Sequence, residues 1–183
     1  MENKRSDARI FNFLSWLRAG EPEQVPLAEA VEAARREFPR KVLPDVRLVI
    51  SHAHRIRINE ATNRREAPRD AVLIEYKEEA TGTNAPRTMR VWPGLKLVGA
   101  GGKVDKGVFV KVVASSADSV ELGGGLRFSH AELLRHTRLR HAVTYASCQG
   151  LTLRGRVWLC DAGTQHFDPR HLYVGCSRAT AAE

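Results

Sequence analysis

Between Arg87 and Phe128 the chain changes period, and this change constrains its fold more than any other feature. Short apolar runs (Met89-Arg-Val-Trp92, Leu95-Lys-Leu-Val98, Gly107 to Val113, Ser119-Val-Glu-Leu122) alternate with glycine turns at Gly99, Gly101, Gly102 and Gly123 to Gly125. Strands this short and turns this frequent predict an antiparallel barrel of about 40 residues. The flanking pattern differs. Ile10, Phe11, Phe13, Leu14 and Leu17 recur at helical spacing, with Ser6 or Asp7 to cap a helix over 7–18 and Gly20 to end it. A second helix is predicted over 27–38, stopped by Pro39. The apolar strand Val46 to Ile50 leads into a basic helix near 53–65, and Thr81 to Pro86 reads as a flexible loop. After the barrel, Ser129-His-Ala-Glu132 is a capping-box pattern, and His141 to Tyr145 and Arg156 to Cys160 read as strands. Asp168-Pro169 then predicts an N-cap and the first position of a last helix. Alternation of helices and strands outside the barrel predicts an α/β fold, with a parallel sheet and helices on both faces.

A chain of 183 residues suits one domain, or one domain carrying a small insert. No apolar run approaches the roughly 20 residues of a spanning helix, and no signal-peptide core follows the N-terminus, so an intracellular protein of cytoplasm or nucleus, without a membrane, is expected. Lys and Arg exceed Asp and Glu by 29 to 21. The excess is clustered: residues 35–69 hold ten Lys/Arg against four acids, and residues 127–156 hold six Arg against Glu132 alone. Such clustering points to a polyanionic partner, nucleic acid foremost. Cys148, Cys160 and Cys176 are odd in number and form no Cys-x-x-Cys, which argues against a disulfide framework or zinc cluster. His52-x-His54 and His166 with His171 lack further ligands for a metal.

Two motifs carry chemistry. The first is Thr144-Tyr-Ala-Ser147-Cys-Gln149-Gly150-Leu-Thr152-Leu; the second is Leu172-Tyr-Val-Gly-Cys-Ser177-Arg178-Ala-Thr180. Together they resemble the last two motifs of superfamily 1 helicases, most closely the RecD-like group that includes the helicase halves of conjugative relaxases. Ser51-His52 after the first strand and Ile58-Asn59 in the next helix are similar to that group as well. The resemblance implies the second RecA-like motor domain, with an SH3-like barrel inserted before the Gln-Gly motif. It divides the chain into 1–88, the insert 89–128, and 129–183.

By that resemblance Arg178 is the catalytic arginine finger, reaching ATP held with Mg2+ mainly by a first motor domain in cis. A guanidinium suits this role because its fixed fork of donors matches the oxygens of a transferring phosphoryl group. Gln149 and Gly150 would join Arg178 at the nucleotide. His52, Thr144, Ser147, Thr152, Arg138, Arg140 and Trp92 would meet single-stranded nucleic acid, Trp92 by stacking on a base. The family pattern Thr-x-His-Lys-Ser-Gln-Gly becomes Thr144-Tyr-Ala146-Ser147-Cys148-Gln149-Gly150, so one basic contact is lost or supplied elsewhere. Gly175 stands where alanine is common. No Gly-x-x-x-x-Gly-Lys-[Ser/Thr] occurs, and no Asp-Glu pair follows an apolar strand. A chain of this kind is expected to be inactive alone, as the C-terminal half of an ATP-dependent helicase, on DNA rather than RNA. Two alternatives stay open: a non-catalytic basic nucleic-acid-binding module, and a viral-type RNA helicase domain.

Overall fold

A computed structural model describes residues 7–19, 25–40, 42–79 and 81–179. Ser6, Gly20 and Thr180 lie outside the described residues. By contacts the chain divides into two units, one drawn from residues up to Ser51 and from Val143 onward, the other His52–Ala142.

The first unit is a parallel sheet with helices. Strand β1 (Val46–Val49) pairs in parallel with β10 (Val157–Leu159), and β9 (Ala142–Thr144) lies on the other side of β1. Val46, Leu48 and Val49 are wholly buried, the near-continuous apolar run expected of a strand covered on both faces. Helices α1 (Ala8–Ala19), α2 (Leu27–Glu37) and α5 (Pro169–Arg178) pack against one another. Asp7 caps α1 by accepting the Arg9 N–H at 2.8 Å, and Phe13 of α1 meets Phe38, just past α2, edge to face. Each of these elements falls within two residues of its sequence expectation.

The second unit holds α3 (His52–Glu66), a hairpin of β2 (Val72–Ile74) with β3 (Met89–Val91), and a five-stranded antiparallel sheet. That sheet runs β7-β6-β5-β4-β8, built from β4 (Lys96–Gly99), β5 (Phe109–Ser115), β6 (Ser119–Leu122), β7 (Leu126–Ser129) and β8 (Thr137–Leu139). Helix α4 (His130–His136) interrupts it, opened by the capping box between Ser129 and Glu132. Two pairings differ from the sequence reading. Met89–Val91 pairs with Val72–Ile74 rather than joining the larger sheet, and Thr137–Leu139, beyond the expected barrel, supplies its fifth strand. Three-residue strands carry too little alternation to be read from sequence, and their pairing is decided by the shared core. That core joins Ile74, Met89 and Val91 to Leu97, Val112, Val120, Leu122, Phe128 and Leu133.

Candidate functional site

Strand β9 ends at Thr144, and the chain then turns tightly. Thr144 is buried; its hydroxyl and that of Ser147 lie 2.9 Å apart, and Ser147 Oγ also donates to the Thr144 carbonyl at 3.0 Å. The Cys148 N–H donates to the Thr144 carbonyl at 3.1 Å, closing one helical turn. A second turn follows at once, with Leu151 N–H donating to the Cys148 carbonyl at 3.0 Å and Gly150 at φ +80°. That angle is the third-position conformation of a type II turn, which favours glycine. Gln149, Gly150 and Thr152 are left exposed, while Leu153 is wholly buried and anchors the far side.

The second motif meets this turn through Arg178, the last residue of α5. Asp168 caps α5: its carboxylate accepts the His171 N–H at 2.9 Å while the His171 ring accepts the Asp168 N–H at 3.2 Å. Burial raises the Asp168 carboxyl, yet the backbone donors of His171 and Arg170 and the nearby His171 ring outweigh it and hold it below the usual carboxylate range. At the other end of α5, the Arg178 carbonyl accepts the Leu153 N–H at 3.0 Å, and the guanidinium donates to Leu151 O at 3.4 Å and to Ser177 Oγ at 3.1 and 3.2 Å. The two motifs, 27 residues apart at Leu151 and Arg178, are thus stitched together. Three of the five guanidinium donors are engaged, leaving two for a ligand.

Beneath the turn the chemistry is inert. Burial pushes the Cys148 thiol up to about 11, with the neighbouring Arg178 charge opposing it, and the Cys176 thiol up to about 12. Burial also raises the Tyr145 phenol, which donates to the Cys160 carbonyl at 3.0 Å and packs on Phe167 and His171. No group of three His, Cys, Asp or Glu side chains comes together among the described residues. Gly175 is tighter than the sequence suggested: a Cβ there would lie 2.4 Å from Leu159 Cδ2 and 3.2 Å from Tyr145 Cε1. Gly175→Ala is expected to cost at most about 1 kcal/mol, because the displaced atoms are the tip of the Leu159 side chain and alanine gains about 1 kcal/mol of helix propensity; urea unfolding measures it, and Leu159→Val in the same chain should turn the change neutral or stabilising.

One residue the sequence reading missed belongs with this group. Asp161 follows β10 with φ +66°, and its carboxylate accepts the Ile50 N–H, just past β1, at 2.8 Å. It sits at the carboxyl end of the parallel strands, where open α/β sheets place ligands. An acid directly after an apolar strand was the available signal.

The remaining candidates lie in the second unit. His52 is exposed at the start of α3. Trp92 is half-buried against the core. Arg140 is buried, its guanidinium 4.0 Å from the centre of the Phe109 ring, a cation–π contact. Arg138 is spent on carbonyls: Leu134 at 2.5 Å, Thr137 at 2.6 Å, Arg135 at 3.3 Å and Asn84 at 2.9 Å. In the loop from Thr81 to Pro86, the Thr83 carbonyl accepts from Arg55 and the Asn84 carbonyl from Arg138.

No protein-family model matches this sequence, and no curated protein does. Solved structures do. A Pif1 helicase from Bacteroides in complex with ADP-AlF3 and ssDNA is similar at a TM-score of 0.63 and 15% identity, over 100% of this chain and 51% of that one. A structure of two coordinating Pif1 helicases at forked dsDNA gives 0.62 and 16%, over 100% and 49%. Pif1 helicase from Candida albicans gives 0.59 and 17%, over 96% and 52%. This chain spans about half the length of those structures. At such identities the likeness is one of fold: the chain is a RecA-like α/β domain with separate antiparallel sheets.

Proposed function

We propose that this chain is the second RecA-like motor domain of a superfamily 1 helicase of the RecD-like group, acting on single-stranded nucleic acid, DNA rather than RNA. The observation that carries the reading is the stitch between the Gln149-Gly150 turn and Arg178. Such a stitch would join Arg178 to a turn that meets the same nucleotide and that carries the strand-facing hydroxyls of Ser147 and Thr152, which is what a translocating motor needs. The fold shared with Pif1 structures, one of which holds ADP-AlF3 and ssDNA, supports it.

In this reading a first motor domain in cis holds ATP and Mg2+, and the chain alone is inactive. Bound ATP supplies the phosphoryl group to be transferred; Arg178 presents its two remaining donors to the oxygens of that group. Gln149 offers an exposed amide, able to donate and accept, on a glycine turn that lets backbone approach closely. Ser147, Thr152 and His52 are exposed and suited to phosphate contacts. Thr144 and Arg140, being buried, support the fold rather than meet a strand, and half-buried Trp92 does so within residues 89–128, which are read as the SH3-like insert. An intracellular site of action follows from the same reading.

The chain itself is expected to bind single-stranded oligonucleotides at low salt, with affinity falling steeply and linearly in log–log form as salt rises. Fluorescence anisotropy across a salt series measures this. Binding that ignores salt, or is absent, overturns the reading. A preference for RNA over DNA of the same sequence would move it to the viral-type RNA helicase.

A further inference from the structure

Three arginines of the second unit, Arg55 on α3, Arg87 before β3 and Arg138 on β8, line one small cavity of about 30 Å³. The lining holds a single carboxylate, Glu60, whose Oε1 is 3.5 Å from Arg87. Charge is therefore out of balance in a place half shielded from water. Burial, and after it the charge of Arg87, pull the Arg55 guanidinium below its ordinary range; burial and then Arg55 do the same to Arg138. Hydrogen bonding is also incomplete. The Nε atoms of Arg55 and Arg87 are shielded from solvent and have no partner. Unpaired buried donors are uncommon in folded proteins and ask for a reason.

We infer that the Arg55–Arg87–Arg138 cavity is a binding site for a phosphate group. Arg138 acts as scaffold and charge, because its donors already hold the Asn84, Leu134 and Thr137 carbonyls. Arg55 and Arg87 bring to the lining charge that only Glu60 offsets, and a tetrahedral oxyanion neutralises the cluster. An adjoining cavity of about 280 Å³ shares Glu60, Arg87 and Met89, leaving room for whatever carries the phosphate. That the carrier is a polynucleotide backbone rests on the function proposed above; the phosphate site does not.

The test compares Arg55→Gln/Arg87→Gln with Arg57→Gln/Arg65→Gln, a control removing two exposed charges from the same helix outside the cavity lining. Inorganic phosphate, against chloride at matched ionic strength, should raise the melting temperature of wild type and control but not of the cavity variant. A thymine-only oligodeoxynucleotide should bind the cavity variant about tenfold more weakly than the control, with a salt slope smaller by about 1. A phosphate-dependent shift in a wild type that ignores oligonucleotides would keep the site, assign it to a free phosphorylated ligand, and sink the helicase reading. No phosphate shift together with equal oligonucleotide binding by both variants overturns the site. If the double variant does not fold, Arg87→Gln alone carries the same comparison.

Discussion

Asn59→Ala is expected to destabilise the chain by about 2–5 kcal/mol, because two buried backbone groups lose their partners at once. Asn59 is 5% exposed; its amide nitrogen donates to the Ala142 carbonyl at 3.0 Å and its oxygen accepts the Ala142 N–H at 2.8 Å. The side chain thus stands in for a neighbouring strand, satisfying both groups of Ala142, the first residue of β9. Alanine leaves both unsatisfied and a gap beside them. Asn59→Asp keeps the acceptor but buries a charge and loses the donor, and should cost as much. Urea unfolding followed by circular dichroism measures the change. A loss under about 0.5 kcal/mol would mean that water replaces the amide and that the clasp is incidental.

Helix α3 also shows how far the sequence could be read. Its existence was legible from the strand before it, and Asn59 from a resemblance. The reason Asn59 is buried was not, because α3 has almost no apolar stripe: its buried residues are Asn59, Thr62 and Asn63. One turn on, Asn63 repeats the clasp on Arg90, at 2.8 Å in both directions. Polar residues used as strand mimics look, in sequence, like a solvated face. The basic cluster around 35–69 does not sort itself in sequence either: Arg55 lines a cavity while Arg57 is exposed.

Elsewhere, legibility followed local chemistry. Asp168-Pro169 and Ser129 to Glu132 act through groups three residues apart, and both caps form as read. Gln149-Gly150 was legible as a turn, and Arg178 as the end of a helix. Their joining through Leu151 and Leu153 is a tertiary contact with no local signal. The pairing of Met89–Val91 with Val72–Ile74 is likewise decided by a shared core, and Arg140 over Phe109 is another tertiary contact without a local signal.

Arg178→Ala should leave the fold standing and remove the chemistry. The link from Leu153 N–H ends on the Arg178 backbone carbonyl, which alanine keeps. Only the guanidinium contacts to Leu151 O and Ser177 Oγ are lost, at a half-buried position. For a group that meets charge developing in phosphoryl transfer, the loss in turnover is about a thousandfold or more, equivalent to about 4 kcal/mol of barrier. Arg178→Lys should not rescue it, since an ammonium lacks the planar fork. The deciding experiment is single-strand-stimulated ATP hydrolysis by the full-length protein, wild type beside Arg178→Ala, with oligonucleotide affinity measured on both. Stimulated hydrolysis that collapses in the variant, while strand affinity stays within about threefold, is the outcome a motor with an arginine finger requires. Wild-type protein without stimulated hydrolysis would make the chain a nucleic-acid-binding module, and an unimpaired variant would take the finger away from Arg178.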